Sequence, residues 1–449
     1  MLNRLLFSKI DNSPLILFRI FFGILISCEG FGAILTGWVR RTFIEPQFTF
    51  SFIGFEWLQP LPGNGMYLYF LIMGLLGICI SLGFKYRASI IAFTLLWTGV
   101  YLMQKTSYNN HYYLLVLISF IMCFLPANRA YSLDVKKQPE IAQNGMYAYV
   151  KWVIVFQLFI VYTYAALAKL YAGWLDYSFI EVLMRSKANY WLIGDLLQQH
   201  WLHVIISFMG ILFDLLVIPA LLWRPSRKIA FACAIFFHLF NSIVFQIGIF
   251  PYLALAFTVF FYEPETIRRI FFKNKPKYIP DTLKIPGYRN VFLAGFTIYF
   301  LIQIILPIRH HFIYDDVLWT EEGHRLSWRM MLRTRAGTIR FKVLDKKNSR
   351  IIKVNLDDYL SPKQKSRIAA YPDFIWQFSQ RLKNIYQEKG IDVAIYVTSR
   401  IKINGSAIHT YIDPKVDLAQ EPWDHFRHHE WILPSPKELS KKQPKPFFK

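Results

Sequence analysis

The sequence predicts an α-helical polytopic membrane bundle of about nine spans, followed by a C-terminal soluble domain of α+β or β-rich character. Three observations carry this expectation. Of 449 residues, 54% are apolar and 18% aromatic, while charged residues make up only 18% against the ~25% usual in soluble domains. The apolar residues gather into runs at about 14–36, 66–83, 88–104, 112–126, 147–168, 202–223, 228–248, 249–262 and 290–307. After Pro307 the runs stop, and short alternating stretches bounded by turn residues replace them. Disorder and an ordinary soluble enzyme are excluded, because too little polar surface remains to cover a core of that size.

The first run holds Arg19 and Glu29 and has no small-x-small cleavage site, so it reads as a retained span and not a cleaved leader. Several runs are shorter than the ~20 residues a lone spanning helix needs, which a bundle tolerates. The formal charge of +22 comes from 51 Lys and Arg against 29 Asp and Glu. No dense basic arm is interleaved with exposed aromatics, which excludes nucleic acid as a partner. With the N-terminus inside, the inner segments hold 17 basic residues, among them Lys85, Arg87, Arg129, Lys136 and Lys137, and the outer loops 6. That bias puts everything after Pro307 outside, and the inner loops face anionic lipid. Cys28, Cys79, Cys123 and Cys233 all lie in apolar runs. They read as reduced core residues, with neither a disulfide framework nor zinc spacing.

The chain divides at 1–307 (membrane domain), 308–435 (extracytoplasmic soluble domain) and 436–449 (flexible basic tail). In the soluble part, Ile339–Leu344 and Ile351–Leu356 read as strands. Pro362 to Lys389 reads as one helix, with Ser361 as N-cap and Gly390 as C-cap. A strand over Val393–Ile403 follows, and Asn404-Gly405 turns the chain into a further strand at Ala407–Ile412.

Ionisable and polar groups in or at the mouth of bilayer helices are costly, so each is a functional candidate. Lys169 ends the fifth run, Asn109-Asn110-His111 opens the fourth, and His238 and Asn241 lie three apart on one face of the seventh. Each has a plain alternative. A terminal Lys beside aromatics also serves as a snorkelling anchor, Asn-Asn-His as a helix cap, and His with Asn as a bridge between helices. Glu29 and Asp214 read as buried partners of internal donors. A buried Lys can act as a base because desolvation depresses its pKa, which Arg does not allow. An adjacent amide and imidazole can then hold the resulting oxyanion. Around Lys169 the sequence offers an apolar setting with no acidic neighbour, Asp176 being the nearest acid along the chain. No Walker, HExxH or GxSxG motif is present.

These residues give the chain a family resemblance. Asn109-Asn110-His111-Tyr-Tyr-Leu, Ala127-Asn128-Arg-Ala-Tyr-Ser132, Ala168-Lys169-Leu170, Phe237-His238-Leu-Phe-Asn241-Ser242, Leu326-Ser-Trp328-Arg-Met330-Met331 and Asp413-Pro414-Lys-Val-Asp417 follow one another in order. In this the chain resembles the vitamin K-dependent γ-glutamyl carboxylases with their HTTM membrane domain. The resemblance implies that a base deprotonates vitamin K hydroquinone, which reacts with O2 to give the epoxide and a strong base. That base removes a γ-proton from a peptide glutamate, and CO2 adds; no metal is implied. Lys169 then matches the hydroquinone base, and Asn110 and His111 the residues that bond its oxygen. Met330 and Met331 match the quinone pocket, with Trp328, His238 and Asn241 as further wall candidates, and Arg335 the place where the substrate carboxylate is recognised. The implied partners are the lipid bilayer, a glutamate-containing peptide or protein, and a quinone reductase for recycling.

The chain departs from the family in telling places. Ala168-Lys169 replaces two lysines, Tyr171 and Gly173 replace acids, Arg329 stands where an aspartate is expected, and His324 replaces an aromatic near the glutamate site. The long propeptide-engaging region of the animal enzymes has no counterpart within the 449 residues. The short form resembles bacterial members, in an inner membrane with the soluble domain in the periplasm. Two other readings compete: a quinol epoxidase without carboxylation, and a non-enzymatic HTTM scaffold in which Lys169 is only an anchor. The topology is directly checkable. Reporter fusions at Lys137 and Lys449 should localise to opposite sides of the membrane, and a cytoplasmic signal from both would overturn the nine-span arrangement.

Overall fold

A computed structural model of the chain describes residues 1–279 and 283–436. The flexible tail expected at 436–449 lies, beyond Pro436, outside the described residues. Among the described residues, nine apolar helices make the bundle: α1 Ser13–Leu35, α2 Gly65–Leu82, α3 Tyr86–Met103, α4 Asn110–Phe124, α5 Tyr149–Ala168, α6 His200–Leu222, α7 Arg227–Phe245, α8 Phe250–Phe257 and α9 Arg289–Ile308. Seven are long and apolar enough to cross a membrane. Helices α4 and α8 are not. The 15 residues of α4 rise about 22 Å, short of a ~30 Å hydrocarbon core.

Packing in the bundle relies on close backbone approach, as expected where lipid gives no hydrophobic drive to helix association. Helix α1 lies on α2 through facing glycines: a Cβ on Gly77 would sit 2.7 Å from the backbone N of Ser27. In the same seam Ser27 Oγ donates to the carbonyl of Gly74 at 2.9 Å. Arg19 is fully buried. It donates to the carbonyls of Ala127 at 2.9 Å and Tyr131 at 2.6 Å, fixing the inner loop after α4. An unsatisfied guanidinium there would be prohibitive.

In the soluble part, β3 Arg335–Asp345, β4 Arg350–Lys353, β5 Val393–Ile403 and β6 His409–Thr410 form an antiparallel sheet of order β4-β3-β5-β6. Strands β1 Lys9–Asp11 and β2 Gly145–Tyr147 pair separately at the other end of the bundle. Along β5, Val393, Ile395, Val397, Ile401 and Ile403 are buried while Thr398, Arg400 and Lys402 are exposed, the alternation of a half-covered sheet. Strand β5 has the bounds the sequence predicts. Strand β3 starts earlier, at Arg335, because it pairs with the whole of β5, and β4 and β6 are shorter than expected. The expected helix over 362–389 is two helices, α10 Pro362–Ile368 and α11 Pro372–Glu388. Pro372 forces Tyr371 into an extended conformation (φ −129°, ψ 113°) that no helix can pass through. Ser361 caps α10 in a reciprocal pair with Gln364, and Asn404 and Gly405 turn at φ 50° and 78°.

The soluble core is not built from the C-terminal part alone. Phe48 and Phe50, in the loop between α1 and α2, pack into it, and Phe50 stacks on Phe374 with centroids 4.8 Å apart. Gln364 and Gln377 donate to the carbonyls of Phe48 and Ser51 at 2.7 and 3.0 Å. At the seam, Asp373 at the start of α11 accepts from Lys105, just beyond α3, at 2.6 Å and from Arg325 at 2.7 Å. Burial pushes the Asp373 carboxyl up, but Arg325 and Lys105 outweigh it and hold it below the usual carboxylate range. Burial also pulls Lys105 down to about 8, against the pull of Asp373.

Asp373→Ala leaves two cations without their partner and should cost about 3–5 kcal/mol, the scale for breaking a buried pair. Because the folded-state pKa is depressed, the same stabilisation is present above the unfolded carboxylate range and is lost as pH falls through it. Chemical unfolding followed by tryptophan fluorescence in detergent measures both, and unchanged stability of the Ala variant would refute the clamp.

Candidate functional site

At the seam between bundle and soluble part lies a cavity of about 550 Å³, within the range of small-molecule sites. A second hollow, of about 700 Å³ between the α1–α2 loop and α11, is lined by none of the candidate residues. The inner wall of the first is apolar, with Leu115 of α4 and Phe250 and Leu253 of α8, and Met330 and Met331 join it from the chain after α9. Its outer wall is cationic: Lys105, Arg325, Arg329, Arg333 and Arg367 line it together with Glu321 and His324.

Asn110 and His111 sit in this wall because Asn109, not Asn110, is the cap of α4: its side chain accepts from Tyr112 N at 2.7 Å. The first turn then presents the next two side chains to the cavity. Asn110 accepts from Tyr108 Oη at 3.0 Å and donates to the Arg329 carbonyl at 3.3 Å. The His111 ring stacks on Phe250 with centroids 3.9 Å apart. Just behind it, His238 Nε2 and Tyr162 Oη form a hydrogen bond of 3.0 Å, and the His238 ring lies 6.0 Å from Phe250. Asn241 is half-buried further along α7. Neither His238 nor Asn241 lines the cavity. Trp328 is fully buried behind the wall, stacked on Tyr113 at 4.8 Å.

Two expectations need correction. Lys169 is buried at the end of α5, but its amino group is paired with Asp214 of α6 and also reaches the Ala165 carbonyl at 3.4 Å. It therefore has an acidic neighbour, supplied by another helix that the linear sequence could not bring near. Lys169 is not among the residues lining the cavity. Arg335 lies in the first pair of β3 and is also turned away: it donates to the carbonyls of Ala370 at 2.8 Å and Trp319 at 3.0 Å and lies 3.4 Å from Glu321. Its Nε and Nη1 hold the fold, while its Nη2 is buried without a hydrogen bond. Glu29 accepts from Tyr112 Oη at 2.9 Å, as expected of a buried acid with an internal donor.

The cationic wall was missed. Arg325, Arg329 and Arg333 recur every fourth residue, a spacing that suggests a helix face, yet the segment is a series of turns. Leu326, Trp328 and Met331 have φ of 64°, 55° and 52°, a region that non-glycine residues seldom adopt and that clusters at functional sites. These turns aim the arginines and methionines into one space. Two of the arginines have partners, Asp373 for Arg325 and Glu321 for Arg333. Burial pulls Arg329 down to about 10 and holds His324 well below its ordinary value, so His324 is neutral at physiological pH. Burial also pushes Asp316, the nearest acid to Arg329 in electrostatic effect, up to about 6.

Comparison with known proteins agrees with this arrangement. No solved structure matches the chain. The HTTM domain matches residues 7–265, and the domain described as "Vitamin K-dependent gamma-carboxylase, lumenal domain" matches residues 288–438. The first holds the membrane wall of the cavity and the second its cationic wall. With both domains in that order along most of its length, the chain belongs to the vitamin K-dependent gamma-carboxylase family.

Proposed function

We propose that the protein couples oxidation of vitamin K hydroquinone to carboxylation of glutamate in a peptide, in a bacterial inner membrane with the soluble part in the periplasm. The single observation that carries this reading is the convergence of Asn110, His111, Met330 and Met331 on one cavity. A bicyclic hydroquinone needs apolar walls for its rings and a donor for its oxygen. Leu115, Phe250, Leu253 and the two methionines supply the first, and the imidazole of His111, held flat by Phe250, supplies the second. The residues therefore fit the group. When bound, it supplies the electrons that, with O2, generate a base strong enough for the γ-proton of glutamate.

The chain's own part is binding, orientation and proton handling. His111 donates to the developing oxyanion in a water-poor site, where such a bond is worth most. Tyr108 orients Asn110 beside it. Lys169 is the base held in reserve. Its amino group is held by Asp214 of α6. Tyr162 and His238, hydrogen-bonded to each other, lie on the His111 side, where Phe250 is near both imidazole rings.

The reading is tested in membranes by measuring vitamin K epoxide and CO2 incorporation into a glutamate peptide together. His111→Ala should lower epoxidation by roughly 10²–10³, the cost of one oxyanion donor. Unchanged turnover would leave His111 as a packing residue. Lys169→Arg keeps the pair with Asp214 but cannot release a proton, so both products should vanish at normal expression. Near wild-type epoxide from that variant would remove Lys169 from the chemistry. Epoxide without carboxylated peptide would favour the epoxidase reading, and neither product would favour the scaffold.

A further inference from the structure

The charges of the cationic wall do not balance. Arg325 and Lys105 share Asp373, and Arg333 holds Glu321. Arg329 has no such partner among the described residues. Its Nη1 meets only His310 Nε2, at 3.4 Å, and its Nε is buried without a hydrogen bond. Asp316, the acid with most influence on it, caps the backbone N–H of Leu318 at 2.9 Å and forms no ion pair with it. Beside it in the same wall stands His324, 4% exposed, whose Nδ1 also lacks a partner. Arg367, at the rim, is exposed and bonded to Tyr371, so it adds little beyond long-range attraction.

A guanidinium held out of water without a counter-ion is costly, and its planar fork matches the two oxygens of a carboxylate. Arg325 and Arg333 each hold a carboxylate, so Arg329 is the arginine of this wall whose fork is left for a carboxylate from outside. Resting on the proposed function, we propose that Arg329, with His324 beside it, is the subsite for the carboxylate of the peptide substrate. It takes the part that the resemblance gives to Arg335, which does not line the cavity and whose Nε and Nη1 bond the carbonyls of Ala370 and Trp319. The departure from an aspartate at this position is then a change in how the substrate is held, not a loss of recognition.

The test is binding, read without quinone or O2, so that it stands apart from the activity assay. Full-length protein in detergent is titrated against a fluorescent peptide with one glutamate and against the same peptide with glutamine. The wild type should prefer the glutamate peptide by about 10- to 100-fold, the scale of a charge-assisted hydrogen bond. Arg329→Gln should erase the preference while binding of the glutamine peptide stays as it was. Arg329→Lys, which keeps the charge but not the fork, should retain part of it, and it serves as the probe if the Gln variant does not fold. Glutarate should displace the peptide at lower concentration than inorganic phosphate. Equal wild-type affinity for both peptides, full preference in either variant, or stronger displacement by phosphate would overturn the assignment. Preference that depends on Arg329 in a protein that forms no epoxide would sink the proposed function and leave the subsite standing.

Discussion

The carboxylate of Asp373 holds one cation from each half of the molecule, Lys105 from the bundle and Arg325 from the soluble part. Much else depends on that contact. It seats α11 over the outer end of the helices, where Phe50 of the α1–α2 loop stacks on Phe374 and closes the soluble core. The space left between clamp and helix ends is the cavity. Helix α4 contributes its first turn, where Asn110 and His111 line that space.

Inside the bundle, low dielectric penalises polar atoms without partners. Arg19 bonds carbonyls through its two terminal nitrogens, Lys169 pairs with Asp214, Tyr112 donates to Glu29 and His238 Nε2 meets Tyr162, while Arg19 Nε and His238 Nδ1 have no partner. Buried polar groups without partners are costly, so those that do lack them stand out. The guanidinium Nε of Arg329 and Nδ1 of His324 are among them, and both belong to the cavity wall.

The turns from Leu326 to Met331 join these two themes. Backbone in a sparsely populated region persists only when its surroundings hold it. Trp328, fully buried against Tyr113, and Leu326 N–H, bonded to Tyr108 Oη at 2.8 Å, are the holdings. They let Met330 and Met331 join the apolar wall while Arg329 joins the polar one.

Much of this was legible in the sequence. Apolar runs of fixed length demand spanning helices whatever their packing, alternation along 393–403 demands a half-buried strand, and Ser361-Pro362 demands a helix start, because each rests on local geometry. The Asn110-His111 pair and the two methionines could also be named in advance, through the family resemblance. Contacts between distant segments could not. Lys169 and Asp214 were each legible as buried ionisable groups, but only the packing of α5 on α6 joined them. The resemblance gave Arg335 to the substrate, whereas its Nε and Nη1 bond carbonyls, and nothing in the spacing of Arg325, Arg329 and Arg333 told of the turns that gather them at one cavity. The physical reason is the same in each case: a side chain's period reports its neighbours along the chain, whereas the partner that neutralises its charge arrives from another element, and only the tertiary structure decides which charge is left without one.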